Sequence, residues 1–304
     1  MITRSTYKKL TWIDLEKPTK DEVRDLMEEY SLSPLVADEL LSPTLRPKVE
    51  LHENLIYAVV HFPTISRAHG RSSIQEIDFI IGQDFLITTH YELIDPLHQF
   101  SKAFEVNSIL EKNAIGEHAG FLFFYIIRDL YRTLTFDLYH LEKQLAEIEK
   151  RIFNGDEDKM VEKLSQVNRD LLDIRQAIRP HKEVFDSFEI VSKKFFGEEF
   201  SYNSKIIVAE YYKISSILGG LKETLLDLRE TNDSLLTTKT NKIMTRFTIM
   251  AFSTFPLTLI AAIFSMRAEA MPIIGNRYDF WMILGLMAVL LIAMFISFKS
   301  KKWM

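Results

Sequence analysis

The chain has 304 residues, 47% of them hydrophobic and 26% charged, with a formal net charge of −5 and no cysteine. The missing cysteines exclude disulfides and thiolate metal sites. The mild acidity, without a basic patch laced with aromatics, argues against nucleic acid as a partner.

Residues 1–115 read as a mixed α/β domain in the cytosol. The first 30 residues carry Arg4, Lys8, Asp14 and Lys17 and so do not resemble a signal peptide. A short strand is expected at 11–15. Thr19 with Glu22 forms a capping box that opens a helix through about Tyr30, and Ser33-Pro34 opens another, in the N-cap and N1 positions these residues favour. Segments 55–62, 74–81 and 85–89, rich in β-branched and aromatic residues, predict three strands of one sheet, with Gly82-Gln83-Asp84 as a hairpin turn.

Residues 116–203 switch to a helical period. Two long helices are predicted over 121–153 and 156–196, joined at Asn154-Gly155, a natural C-terminal cap and turn. A third helix starts near Ser204, forms a stalk over 204–246 and continues through 247–264. Gly219-Gly220 is a candidate bend in it. Charged runs such as Glu142, Lys143, Glu147, Glu149, Lys150 and Arg151 read as solvated coiled-coil faces.

Residues 247–264 and 280–298 carry no formal charge, and at about 1.5 Å per residue each matches the hydrocarbon thickness of a bilayer. They predict two transmembrane helices, separated by an extracytoplasmic loop at 265–279 and followed by a basic tail at 299–304. Lys239, Lys242 and Arg246 precede the first span, and Lys299, Lys301 and Lys302 follow the second. In the loop, Arg267 and Arg277 are offset by Glu269 and Asp279. The positive-inside rule therefore places both termini in the cytosol of a multi-pass protein of the cell (inner) membrane. Trp281 and Trp303 suit the interfacial aromatic belt.

A heptad stripe joins stalk and first span: Glu223, Asp227, Glu230, Ser234, Thr237, Asn241, Met244, Thr248, Ala251, Phe255, Thr258, Ala262 and Ser265. Steps of four and three keep these side chains on one face, turned toward a bundle axis. Inside the apolar run the stripe stays small or weakly polar, as an ion route requires. Two spans enclose no lumen, so such a route demands symmetric copies of the chain.

Rings of Glu223, Asp227 and Glu230 would concentrate cations at the inner mouth and are the candidate metal ligands. A partly hydrated divalent ion would then pass Asn241, Thr248 and Thr258. Met244, Phe247 and Phe255 offer an apolar constriction. Pro256 leaves one backbone carbonyl without its helical donor, and so bends the helix or lends that oxygen to the route. No His-Glu-x-x-His, Gly-rich phosphate loop or Gly-x-Ser-x-Gly elbow occurs, and His90 and His98 form no cluster, so no enzyme is expected.

Several segments resemble the CorA-type metal-ion transporters: Thr240-Asn241-Lys242-Ile243-Met244, 255–261 (Phe-Pro-Leu-Thr-Leu-Ile-Ala), Glu269-Ala270-Met271-Pro272 and Lys301-Lys302-Trp303. Arg46-Pro47-Lys48-Val49-Glu50 before a strand, Glu76-Ile77-Asp78-Phe79 and Phe85-Leu86-Ile87-Thr88-Thr89 extend the likeness to the cytosolic part. The resemblance implies a funnel-shaped homopentamer with a cytosolic α/β domain, long stalk helices continuing into the pore, and an outer ring of second spans. It implies transport of divalent cations, chiefly magnesium and sometimes cobalt, nickel or zinc, with the ion also a possible regulator.

By the same resemblance, Asn241, Met244, Phe247, Ala251, Phe255, Thr258 and Ala262 line the pore, and Glu230 sits at an acidic sensing position. The outer mouth departs from the family's Gly-Met-Asn: here it reads Ser265-Met266-Arg267, and copies of Arg267 would ring it with positive charge unless Glu269 neutralises them. Two other readings stay open, a transporter of another ion or in the outward direction, and a non-conducting, metal-responsive membrane scaffold.

Overall fold

A computed structural model describes residues 2–66, 71–92, 94–110, 116–266 and 277–300. The chain divides into two compact units, Met1–Arg229 and Glu230–Met304.

The first unit holds a six-stranded sheet. Its strands are β1 (Ile2–Tyr7), β2 (Leu10–Glu16), β3 (Lys48–Leu51), β4 (Ile56–Ser66), β5 (Arg71–Ile81) and β6 (Phe85–His90), in spatial order β1-β2-β6-β5-β4-β3. Among the described strands, β2 and β6 alone run parallel, with Ile13 opposite Ile87. The hairpin at Gly82 joins β5 to β6, and the Gly82 N–H donates to the Phe85 carbonyl at 2.8 Å. The predicted strands are all present, and two more join them. β1 is a polar edge strand whose turn to β2 uses Lys8, at φ 54°, instead of the Asn or Gly that marks such turns in a sequence. β3, four residues long, is too short to show alternation.

Helices α1 (Lys20–Tyr30) and α2 (Pro34–Glu39) begin as expected, at the Thr19–Glu22 capping box and at the Ser33 cap. They cover one face of the sheet, where Val23, Leu26, Val36 and Leu40 pack with Ile13, Leu15, Tyr57, Val59, Ile80 and Ile87. The other face meets α3 (Asp95–Leu110), α4 (Ala119–Phe153), α5 (Glu157–Ile178) and α6 (His181–Phe196). Aromatic edges knit this layer: Trp12 against Phe100 and Phe104, Phe79 against Phe123, Phe62 against Tyr131.

The helix expected over 156–196 is two helices, broken at Arg179-Pro180. Proline lacks the N–H that would continue the ladder, and the apolar period on both sides masks the break. The turn brings His181 into the core, where Tyr131 Oη donates to Nδ1 at 2.6 Å and Nε2 donates to the His61 carbonyl at 2.8 Å. Burial pushes its pKa down to about 4, so both bonds belong to a neutral ring. At Asn154-Gly155 the turn forms as expected, with Gly155 at φ 95°.

The long helix α7 (Glu198–Ser265) starts six residues before Ser204, directly after Gly197 at φ 97° ends α6, and runs for 68 residues. Gly219 and Gly220 stay helical within it. The last helix, α8 (Asp279–Ser300), is apolar over most of its 22 residues.

Candidate ion-conduction site

Within the first unit, α7 buries Phe200, Ser204, Ile207, Ile214, Leu218, Leu221, Leu225 and Leu228, a series at steps of three, four and seven. α4 and α5 carry matching series, from Leu134 to Ile152 and from Met160 to Ile178, the arrangement of coiled-coil seams. Lys222 Nζ of α7 donates to Asn168 Oδ1 of α5 at 2.5 Å. Asn232, in the same register, ends the buried series with amide atoms that have no partner among the described residues.

Glu223, Asp227 and Glu230 fall two positions after Leu221, Leu225 and Leu228. At about 100° of turn per residue, that places them on the opposite side of the helix. All three are exposed.

In the second unit, α7 and α8 are long and apolar enough to cross a membrane; their most apolar 18-residue windows have mean hydropathies of 2.0 and 2.5. Each carries a half-covered stripe, Ile249, Ser253, Pro256, Ile260 and Phe264 on α7, and Ile283, Met287, Leu290, Met294 and Phe298 on α8. The stripe on α7 repeats the register of the buried series, and the polar seam lies roughly opposite it. Asn241, Met244, Ala251, Phe255, Thr258, Ala262 and Ser265 are exposed, as is Phe247 beside them, and Thr248 is half-covered. Pro256 sits on the half-covered stripe. The Phe252 carbonyl that it leaves unpaired therefore belongs to a flank of the helix, not to the seam.

Three hydroxyls of the seam within the span bond back to carbonyls of their own helix. Thr248 Oγ1 donates to the Met244 carbonyl at 2.8 Å, Thr258 Oγ1 to the Thr254 carbonyl at 2.9 Å, and Ser265 Oγ to the Ala262 carbonyl at 2.9 Å. Back-bonding of this kind spends the hydroxyl proton on the helix, so each oxygen offers only lone pairs outward. A row of acceptor-only oxygens suits the water shell of a cation, whose hydrogens point away from the ion. The seam contains no carboxylate between Glu230 and Ser265.

Of the outer-mouth residues, Ser265 and Met266 are exposed at the end of α7, while Arg267 and Glu269 lie outside the described residues. Among the described residues, no three His, Asp or Glu side chains of one chain come together to hold a metal. Glu223, Asp227 and Glu230 are thus successive positions along one exposed face. The half-covered stripe was not singled out in the sequence, because its residues are as apolar as the rest of the span. Its signal was the recurrence of Ile249, Ser253, Pro256 and Ile260 in the register of the leucines below.

A family model described as CorA-like Mg2+ transporter protein matches residues 7–301. The chain is 25% identical over 305 residues to the cobalt/magnesium transport protein CorA of Thermotoga maritima, covering 97% of this chain and 83% of that one. It is 25% identical over 298 residues to the putative metal ion transporter YfjQ of Bacillus subtilis, covering 96% and 89%. The complete structure of the CorA magnesium transporter from Methanocaldococcus jannaschii superposes with a TM-score of 0.84 at 20% identity, over 99% of this chain and 94% of that one.

Proposed function

This chain belongs to the CorA-like Mg2+ transporter family, and on that premise we propose that it conducts divalent cations, magnesium or cobalt first, through a pore formed where copies of α7 meet. It is a membrane transport protein, not an enzyme. The observation that carries the reading is the open seam: the face of α7 away from its half-covered stripe is lined from Asn241 to Ser265 by small side chains, acceptor-only hydroxyls and a few bulky apolar groups.

A single chain leaves this face uncovered. In a homopentamer, the state the resemblance implies, the seams gather on the axis and α8 takes the lipid side. Both termini then lie in the cytosol, as the basic flanks require. Asn241 and the rings of Thr248 and Thr258 accept hydrogen bonds from a cation that keeps part of its water, which suits magnesium because it dehydrates reluctantly. Rings of Met244, Phe247 and Phe255 form the apolar constriction that closes the route by dewetting. Rings of Glu223, Asp227 and Glu230 concentrate cations at the inner mouth and hold regulatory metal between subunits; a metal there favours the state that brings the carboxylates together.

Purified protein in liposomes should admit magnesium, followed by an entrapped dye. Absence of flux with magnesium, cobalt and zinc, in vesicles shown to contain assembled oligomers, would leave the scaffold reading. The Ser265-Met266-Arg267 mouth favours a second reading, a preference for another ion, because a ring of guanidinium groups repels cations. Arg267→Asn should raise cation flux and change ion preference; an unchanged preference would mean that this side chain does not face the mouth.

A further inference from the structure

On the face of the sheet under α2, two acidic side chains of β5 stand two residues apart and point the same way. Asp78 is fully buried beside Leu15, Val59 and Thr89, its row neighbours in the sheet. Thr89 Oγ1 donates to its Oδ2 at 2.8 Å, and among the described residues Oδ1 has no donor. Glu76 is saturated. The Thr44 N–H reaches both of its oxygens at 2.8 Å, Thr44 Oγ1 donates at 3.0 Å, and His61 Nε2 at 3.1 Å. Glu76 therefore ties the connection from α2 to β3, residues 40–47, to the sheet.

We propose that Asp78 and Glu76 together hold a proton that keeps this connection docked and whose loss loosens it. The groups facing Asp78 leave no other way to compensate a second negative charge. From α2 comes Glu39, another carboxylate. From β3, Lys48 is spent on Glu39 and Glu50, at 2.8 and 3.0 Å. From β4, His61 is spent on Glu76, and Tyr57 presents a neutral phenol that faces Glu39, Glu76 and Asp78. Tyr91, after β6, is a second phenol facing both acids. Among the described residues no free cation reaches the site, whereas a proton on Oδ1 turns the orphaned acceptor into a donor toward Glu76.

The electrostatics agree: burial first, and then the Glu76 carboxylate, hold the Asp78 carboxyl well above the usual carboxylate range. Burial raises the Tyr57 and Tyr91 phenols too, so both stay neutral. Because the folded state holds this proton more tightly than the unfolded chain, the stabilisation is complete at acid pH and is lost as pH rises through the folded value.

The test uses the full-length protein in detergent, followed by infrared spectroscopy and hydrogen exchange from about pH 6 to about pH 9. The wild type should show the carbonyl stretch of a protonated carboxyl at neutral pH, and Asp78→Asn should abolish it. As pH rises toward the midpoint, protection of amides in residues 40–47 should fall by up to about tenfold per pH unit in the wild type and then level off, and it should stay level throughout in Asp78→Asn, whose amide donates permanently. Glu76→Gln, which removes the neighbouring charge, should move the midpoint to lower pH and supplies the same readout should Asp78→Asn not fold. A wild type without the protonated-carboxyl band, or equal protection profiles in wild type and Asp78→Asn, would overturn the proposal; so would a midpoint unmoved by Glu76→Gln.

Discussion

The two parts of α7 use one heptad register for opposite ends. From Phe200 to Leu228 the covered stripe is buried and, apart from Ser204, apolar, and the stripe opposite it ends in three exposed carboxylates. From Asn241 to Ser265 the environment of a membrane removes the hydrophobic gain from packing one apolar side chain on another. There the covered stripe is a mixture of Ile, Ser and Pro, only half-covered, and the open stripe carries the polar groups. Periodicity alone fixes which residues share a face. What fills the face, and in which solvent, decides whether it is a core or a conduit.

The first way to break this contrast is to cut into the buried stripe. Leu225→Ala should destabilise the protein by about 2–5 kcal/mol, the range for a buried leucine that leaves a cavity, read as a lower melting temperature in detergent. Ala251→Leu, on the open membrane stripe, should leave the melting temperature unchanged and narrow the route, so that magnesium flux into liposomes falls. Equal melting losses for the two would erase the distinction between the stripes. Next in size is an acid limb. His181, neutral and fully buried, has a folded pKa of about 4 against a usual value near 6.5. A base with a lowered folded value gives stability that is complete above the unfolded pKa and declines as pH falls toward the folded one. Between pH 6.5 and 4 the loss should reach roughly 3 kcal/mol, and His181→Gln, with no proton to gain, should flatten this limb of the melting curve against pH.

Local chemistry was legible in the sequence. The Thr19–Glu22 box and the Ser33-Pro34 start need only residues three or four apart, and both stand where the sequence places them. That the seam residues share one exposed face of α7 was legible for a related reason, since a helix turns period into face. What the sequence hid depends on partners far along the chain. β1 forms because β2 offers it an edge, not because its own polar residues favour a strand. The Pro180 break is hidden by an apolar period that fits on either side of it. Glu76 and Asp78 alternate with Ile77 and Phe79 as a solvated strand face would, and only the arrival of α2 and its connection buries them. The carboxylates on α7 show the converse limit: their face is clear, but a ligand set between copies of the chain is not a property of one chain.

The finer tests concern that face. Thr258→Val keeps the shape of the side chain and removes its acceptor oxygen, so it should leave the melting temperature alone. In a ring of copies it removes several hydrogen bonds to the passing ion's water. At about 0.5–1.5 kcal/mol for each, loss of even two corresponds to about a tenfold fall in flux. The smallest effect is expected at Asp227→Asn. The residue is exposed, so stability should change by no more than about 0.5 kcal/mol, and the apolar stripe two positions away is untouched. If copies of Asp227 share a metal, however, the variant should need more magnesium to reach the same protection from protease, because one carboxylate per subunit no longer favours the metal-bound state. An unchanged magnesium requirement would confine Asp227 to the ordinary role of a solvated helix face and leave Glu223 and Glu230 as the remaining candidates.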